Sequence, residues 1–201
     1  MVSVVDYGIG NLGSVLNALT EIGGDASLAT TPAEIGAAGK ILLPGVGAFS
    51  EAIENLRHTG LADALAEHVD RGRPLLGICL GMQLICRQSA EDGQHEGLGF
   101  VDAQVLRLPS GPKHKVPHMG WSTLELARDS AIARGLQSGS DVYFVHSYYV
   151  ECNDPSDVIA RCMHGISFCA IVGHENVYGL QFHPEKSQEI GLSILKNFAD
   201  L

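Results

Sequence analysis

Apolar positions along this 201-residue chain change texture about halfway. Before that point, short aliphatic and β-branched runs at 2–5, 26–29, 40–43 and 74–78 alternate with stretches whose apolar residues recur every three to four positions. Those stretches lie at 12–22, 32–38, 49–57 and 61–69, and from about 81 to 88. Short, mostly apolar runs of this kind predict strands, and the longer period predicts helices with one buried stripe. Arg71-Gly72-Arg73-Pro74 ends one helix and opens the strand after it. Strands alternating with helices predict a mainly parallel sheet covered on both sides. After a polar loop at 89–96 the helical period disappears. Strand-like segments follow at 104–108, 121–126, 142–150, 158–163, 166–172 and 177–182, separated by glycine, proline, asparagine and aspartate. They read as hairpins and meanders added to the sheet edge, and a helix at 192–198 closes the chain. The expected fold class is α/β: a central, mostly parallel sheet flanked by helices, with extra antiparallel strands in the C-terminal half, as one domain over 1–201.

Composition narrows the function classes. With 45% hydrophobic and 18% charged residues the chain can bury a core of ordinary size. A net charge of −10 opposes binding to a phosphate backbone, so no nucleic-acid partner is expected. No apolar run reaches the roughly 20 residues a membrane span needs, and MVSVVDYGIG lacks the basic start of a secretory leader. The five cysteines, at 79, 86, 152, 162 and 169, are odd in number and form no CxxC pair. Neither a disulfide framework nor a structural zinc site is expected, and a reducing cytoplasm is. The histidines offer no metal-ligand spacing, and nothing calls for a cofactor.

Within PLLGICLGMQL, residues 74–84, Cys79 stands between Gly77 and Gly81 at the junction of a predicted strand and a predicted helix. This is the G-x-nucleophile-x-G elbow with cysteine as nucleophile. A corner that tight strains the backbone and brings its neighbours too close for a Cβ, which explains the glycines. It lifts the thiol out of the sheet, sets a helix start beneath it to favour thiolate, and aims the Leu80 N–H at a developing oxyanion. The competing reading is a small apolar cysteine in a core strand. Near the other end, GLQFHPEKS (179–187) carries His183 and Glu185 two apart. On an extended segment residues i and i+2 face the same way, so one strand end presents an imidazole with a carboxylate to orient it. Taken alone, H-P-E is more often a surface turn.

Other features carry less. The first loop, YGIGNLGS, mimics a dinucleotide fingerprint, but no acidic residue follows at the required distance at the end of a second strand. PGVG, residues 44–47, is a turn whose backbone can approach a ligand closely. Outside a motif context Trp121 and Tyr143 read as core aromatics, and His146 as a structural histidine.

GICLGMQL, QFHPEKS and the upstream PGVG together resemble the class I (triad) glutamine amidotransferase family over essentially the whole chain. DYGIGNLGS, LPGVGAF, PHMGW (117–121) and YFVHSYY (143–149) are similar, more narrowly, to glutaminase subunits of imidazole glycerol phosphate synthases. The resemblance implies a flavodoxin-like glutaminase fold and a catalytic triad of Cys79, His183 and Glu185. It implies oxyanion donors at Leu80 and within Val46 and Gly47, and contacts from Gly47 and Gln83 to L-glutamine. It implies a heterodimer with a (β/α)8-barrel cyclase subunit, met by Asn11, Trp121, Tyr143 and Lys186, to which ammonia is channelled in histidine biosynthesis. It further implies that the resting PGVG loop turns a carbonyl, rather than an N–H, towards the oxyanion position. The sequence departs from the pattern at Ser122, where asparagine is expected, a detail placed at the partner-facing edge. Three other readings stay in view: a triad glutaminase serving a different synthase, a stand-alone thiol hydrolase of γ-glutamyl peptides, and a catalytically dead scaffold.

Overall fold

The computed structural model describes residues 1–112 and 114–201. In the first half strands and helices alternate as β1 (Val2–Val5), α1 (Leu12–Glu21), β2 (Ala26–Ala29), α2 (Pro32–Ala37), β3 (Ile41–Leu43), α3 (Phe49–His58), α4 (Leu61–Asp70), β4 (Leu75–Ile78) and α5 (Leu80–Leu84). Strands then dominate: β5 (Cys86–Ser89), β6 (His95–Glu96), β7 (Val101–Arg107), β8 (His118–Leu126), β9 (Asp141–His146), β10 (Tyr148–Cys152), β11 (Val158–His164), β12 (Ile166–His174) and β13 (Val177–Leu180). Helix α6 (Gln188–Ala199) ends the chain.

The sheet runs β2-β1-β3-β4-β13-β12-β10-β7-β5-β6, and β11, β8 and β9 branch from β12. Its first five strands, β2 to β13, are parallel to one another. Most of the later pairings are antiparallel. Every residue of β1, β3 and β4 is buried, as expected of parallel strands covered on both faces. Two apolar clusters lie on the two sides, one holding Phe49, Ile53 and Leu65 from α3 and α4, the other Val15, Leu19, Leu195 and Phe198 from α1 and α6. No helix among the described residues is long and apolar enough to cross a membrane.

The expected α/β plan holds; beside shifts of two or three residues at strand ends, as where β7 begins at Val101 and β8 at His118, its boundaries move in three places. The helix after Cys79 ends at Leu84 rather than continuing to about residue 88, because Cys86–Ser89 leaves it to pair in parallel with β7 and in antiparallel with β6. The apolar residues there are buried either way, so their periodicity could not separate helix from strand. Cys86 is therefore a strand residue, not a helix-core one, and the polar stretch at 89–96 ends in β6 instead of being all loop. The predicted strand at 142–150 is two strands, β9 facing β8 and β10 lying between β7 and β12. The closing helix begins at Gln188, one turn earlier than its apolar run.

Glycine contacts show where this packing is tightest. A Cβ on Gly81 would collide with the Leu43 carbonyl oxygen, and one on Gly77 would lie 2.5 Å from the carbonyl oxygen of Gly81. Backbone rather than a movable side chain meets both. Gly81→Ala should therefore cost about 3 kcal/mol or more of folding stability. Gly13, exposed in α1 with nothing within 4 Å of its absent Cβ, gives the opposite expectation. Gly13→Ala should be neutral or stabilise by about 0.5–1 kcal/mol. Urea denaturation of the two variants checks both signs.

Candidate active site

The carboxyl ends of three adjacent parallel strands build the site. Strand β3 leads into Pro44–Gly47, β4 into Cys79, and β13 through Gln181 and Phe182 into His183. The ladder sets their height: Leu43 pairs with Gly77, and Ile78 with Leu180. One bond further along, the Cys79 N–H donates to the Leu180 carbonyl at 2.7 Å.

Cys79 has φ 54° and ψ −108°, a left-handed backbone that a non-glycine residue rarely takes. Such strain, of order 1–3 kcal/mol, persists only where the surroundings over-determine it. Here the Leu180 bond holds the cysteine on one side, and the Gln83 N–H, bonded to the Cys79 carbonyl at 3.2 Å, holds it on the other. Leu80 begins α5, where helix N–H groups have no intrahelical acceptor.

His183 Nδ1 lies 2.8 Å from Glu185 Oε1, and both side chains are buried. The expectation that an extended strand brings them together needs correction. His183 is extended, with φ −95° and ψ 99°, but Pro184–Lys186 is a 3-10 turn with proline at its start, and the turn brings the carboxylate back to the ring. The backbone of His183 is clamped as well. Its N–H donates to the Tyr143 carbonyl at 2.9 Å, while the Ser187 hydroxyl accepts from the Tyr143 N–H at 3.0 Å and donates to the His183 carbonyl at 2.6 Å.

Burial opposes charge on the His183 ring, but Cys79 and Glu185 outweigh it and raise its pKa to about 9, so the ring is an imidazolium at neutral pH. Cys79 does most to raise it and Glu185 comes next; the ring's other nitrogen, Nε2, is buried with no partner at normal hydrogen-bond distance among the described residues. Cys79, His183, Val46, Gly47, Leu80 and Gln83 all line one cavity of about 350 Å³, which suits a ligand the size of an amino acid.

Six of the expected residues thus meet in one place, with Glu185 behind His183. Gln83 is buried, and its Nε2 donates to the Tyr148 carbonyl at 3.0 Å and to Gln181 Oε1 at 3.2 Å. Its N–H groups are spent, so its Oε1 is the acceptor left for a ligand. The residues expected at a partner surface lie elsewhere. Asn11, after β1, and Lys186, after β13, are exposed at the carboxyl edge of the sheet. Trp121 is 49% exposed and sits edge-on to half-buried Tyr143, its cross-strand neighbour, so neither is a core aromatic. His146 is buried with both ring nitrogens bonded, as a structural histidine would be. Ser122 corrects its expected placement: its hydroxyl turns inward to His118 Nε2 at 2.8 Å rather than serving the edge.

Sequence reasoning missed four contributors. Glu91, on the cavity wall, accepts from the Phe49 N–H at 3.1 Å, and burial raises its pKa. Val145–Tyr148 form the facing wall, although of residues 143–149 Tyr143 alone was given a functional role, at the partner surface. Tyr7, whose hydroxyl donates to the Pro44 carbonyl at 2.9 Å, anchors the PGVG loop. Burial, then the charge of Cys79, drives its pKa above the usual tyrosine value. Gln181 is fully buried, its Nε2 4.0 Å from the Cys79 sulfur. A polar residue inside the apolar run GLQFH was its one available signal. No three histidine, cysteine, aspartate or glutamate side chains among the described residues group as a metal site would.

Known proteins share this plan. The family model described as glutamine amidotransferase class-I matches residues 3–201. A protein of Syntrophotalea carbinolica named imidazole glycerol phosphate synthase subunit HisH is 47% identical, the match covering 100% of each chain. One of the same name from a Geobacillus species is 46% identical over 100% of this chain and 97% of its own. A solved glutamine amidotransferase superposes with a TM-score of 0.79 at 20% identity and full coverage of both chains. A chain of PurLQS from Thermotoga maritima superposes with a TM-score of 0.76 at 21% identity, covering 99% of this chain and 97% of its own. At those identities the two solved structures establish the fold alone. A full-length family match joined to nearly half identity throughout means that this chain belongs to the class-I glutamine amidotransferase family, in its HisH group.

Proposed function

We propose that this chain is the glutaminase subunit of an imidazole glycerol phosphate synthase, acting over residues 1–201 as one domain in a reducing cytoplasm. It hydrolyses L-glutamine and delivers the ammonia to a (β/α)8-barrel cyclase subunit, with which it forms a heterodimer. The observation that carries this reading is the meeting of a strained Cys79 corner with a Glu185-bound imidazolium in one cavity. A scaffold has no use for that strain or charge. The relatives named as synthase subunits favour a coupled enzyme over a stand-alone peptide hydrolase.

The chemistry follows from the groups present. The Cys79 thiolate attacks the side-chain amide carbon of glutamine. Negative charge collects on the carbonyl oxygen, where the Leu80 N–H and an N–H from the Val46–Gly47 segment receive it. His183 gives its Nε2 proton to the nitrogen, ammonia leaves and a γ-glutamyl thioester remains. The now neutral imidazole takes a proton from water as the water attacks the thioester, releasing glutamate and restoring the thiolate–imidazolium pair. Glu185 keeps the ring oriented throughout. Gln83 Oε1 accepts from the bound amino acid, and the Glu91 carboxylate faces its ammonium. Met119 and Trp121, exposed on β8, with Asn11, Tyr143 and Lys186, form the surface for the barrel. The barrel matters chemically, because ammonia released to water at neutral pH is protonated and loses its nucleophilicity. Partner binding turns an N–H of PGVG towards the oxyanion; Gly47, at φ 101°, has the backbone freedom for it. One oxyanion donor gained or lost is worth about 3 kcal/mol.

Four outcomes test this reading. Glutamate release by the isolated chain should be at least about a hundredfold slower than in the complex with the ligand-loaded cyclase. High activity without the partner would overturn the coupling. Cys79→Ala should abolish glutamine-dependent synthesis and leave ammonia-dependent synthesis by the complex intact; loss of both would make Cys79 structural. Glutamine turnover should fall as pH rises through about 9, because the His183 proton needed by the leaving nitrogen is lost there. Glu185→Gln should move that limb to lower pH and reduce kcat by about 10²- to 10⁴-fold, read from pH–rate profiles of the complex.

A further inference from the structure

From the cavity wall inward runs a line of hydrogen bonds that the chemistry above does not use. Ser122 Oγ is 2.8 Å from His118 Nε2, His118 Nδ1 is 2.9 Å from His146 Nε2, and His146 Nδ1 is 2.8 Å from the Tyr148 carbonyl oxygen. That same oxygen accepts from Gln83 Nε2 at 3.0 Å. The direction of the line follows from its last member. A carbonyl only accepts, so His146 carries its proton on Nδ1, and in a neutral ring Nε2 must then accept. His118 therefore also carries its proton on Nδ1, and its Nε2 accepts from the Ser122 hydroxyl. Burial keeps both rings neutral, lowering the pKa of His118 to about 4 and that of His146 to about 3. His118 and His146 are directly paired across β8 and β9, and His118 stacks between Phe144 and His164, so the rings cannot turn freely.

We infer that His118 and His146, with Ser122 as terminal donor, are positioning residues that fix the Tyr148 carbonyl and through it the orientation of the Gln83 amide on the substrate cavity. Both lone pairs of the Tyr148 oxygen are occupied, one by the histidine line and one by Gln83. If His146 ceases to hold the carbonyl, the Gln83 amide loses the anchor that keeps its Oε1 turned to the ligand. The line also accounts for Ser122. Serine supplies the single donor that His118 Nε2 requires, and an asparagine amide would supply it equally. His118 opens the strand that exposes Met119 and Trp121, so the outer face of β8 and the cavity wall share one hydrogen-bonded frame.

The inference rests on the glutamine reading for its kinetic consequence but not for its tautomers, so the two can fail separately. Long-range ¹H–¹⁵N spectra of the ¹⁵N-labelled protein at neutral pH should show both rings neutral with the proton on Nδ1. A proton on Nε2 of either ring overturns the assignment whatever the activity. In the complex, His118→Phe, which keeps the stacked ring, and Ser122→Ala should each raise the glutamine KM about tenfold with kcat changed less than threefold. Ser122→Asn should restore the wild-type KM. Alkylation of Cys79 by iodoacetamide, which does not need Gln83, should keep its wild-type rate in all three. An unchanged KM in His118→Phe, or a fall in kcat and alkylation together with no change in KM, would make the pair packing alone. A wild-type complex that does not hydrolyse glutamine would instead remove the functional reading and leave the tautomer result standing.

Discussion

The parallel ladder between β4 and β13 is the constraint on which the rest of the site depends. These strands come from opposite halves of the chain, and their pairing of Leu75 with Val177 through Ile78 with Leu180 sets Cys79 and the His183 segment level with each other. A one-residue slip would turn every side chain to the other face and part the thiol from the imidazole. Burial on both faces makes such a slip costly, since each strand is apolar throughout and already packed against helices from two directions. The site is thus placed by the same contacts that stabilise the core.

Close packing does the finer placing. Gly77 and Gly81 let the chain turn against its own backbone and against Leu43, so the corner at Cys79 has nowhere to relax. Gly45 plays a similar part on the neighbouring loop: a Cβ there would stand 2.6 Å from the Tyr7 hydroxyl and 2.9 Å from Leu80. The PGVG loop and the start of α5 are consequently held at a separation set by contact, while Val46, at the loop tip, stays 40% exposed. A rigid cysteine corner faces a loop that is firm at its base and open at its tip.

Charge is then confined to where it is useful. Buried His68, His118 and His146 have their pKa values lowered, mainly by desolvation. His183 alone among the buried histidines described has its pKa raised, because a carboxylate and a sulfur flank it. Identical side chains in one chain are thus neutral struts in one place and a charged ring in another. The difference is what stands within hydrogen-bonding reach.

Much of this was legible along the chain. Short, mostly apolar runs alternating with helical-period stretches pointed to a parallel sheet, because strands joined by helices must run the same way. Gly77-Ile78-Cys79-Leu80-Gly81 announced a corner, because only glycine survives that approach of backbone to backbone. His183-Pro184-Glu185 announced an oriented base, although a turn rather than a strand makes the contact. Tertiary structure alone decided the rest. Leu80 to Cys86 is apolar enough to be helix or strand, and the partner offered by β7 made its end a strand. Nothing local marks Glu91 or the Tyr148 carbonyl as parts of a cavity, because a wall is defined by what stands opposite it. The neutral histidine line likewise has no sequence signature. A ring's tautomer is set by its neighbours in space, and Ser122, His118, His146 and Tyr148 become neighbours only once β8 and β9 have paired.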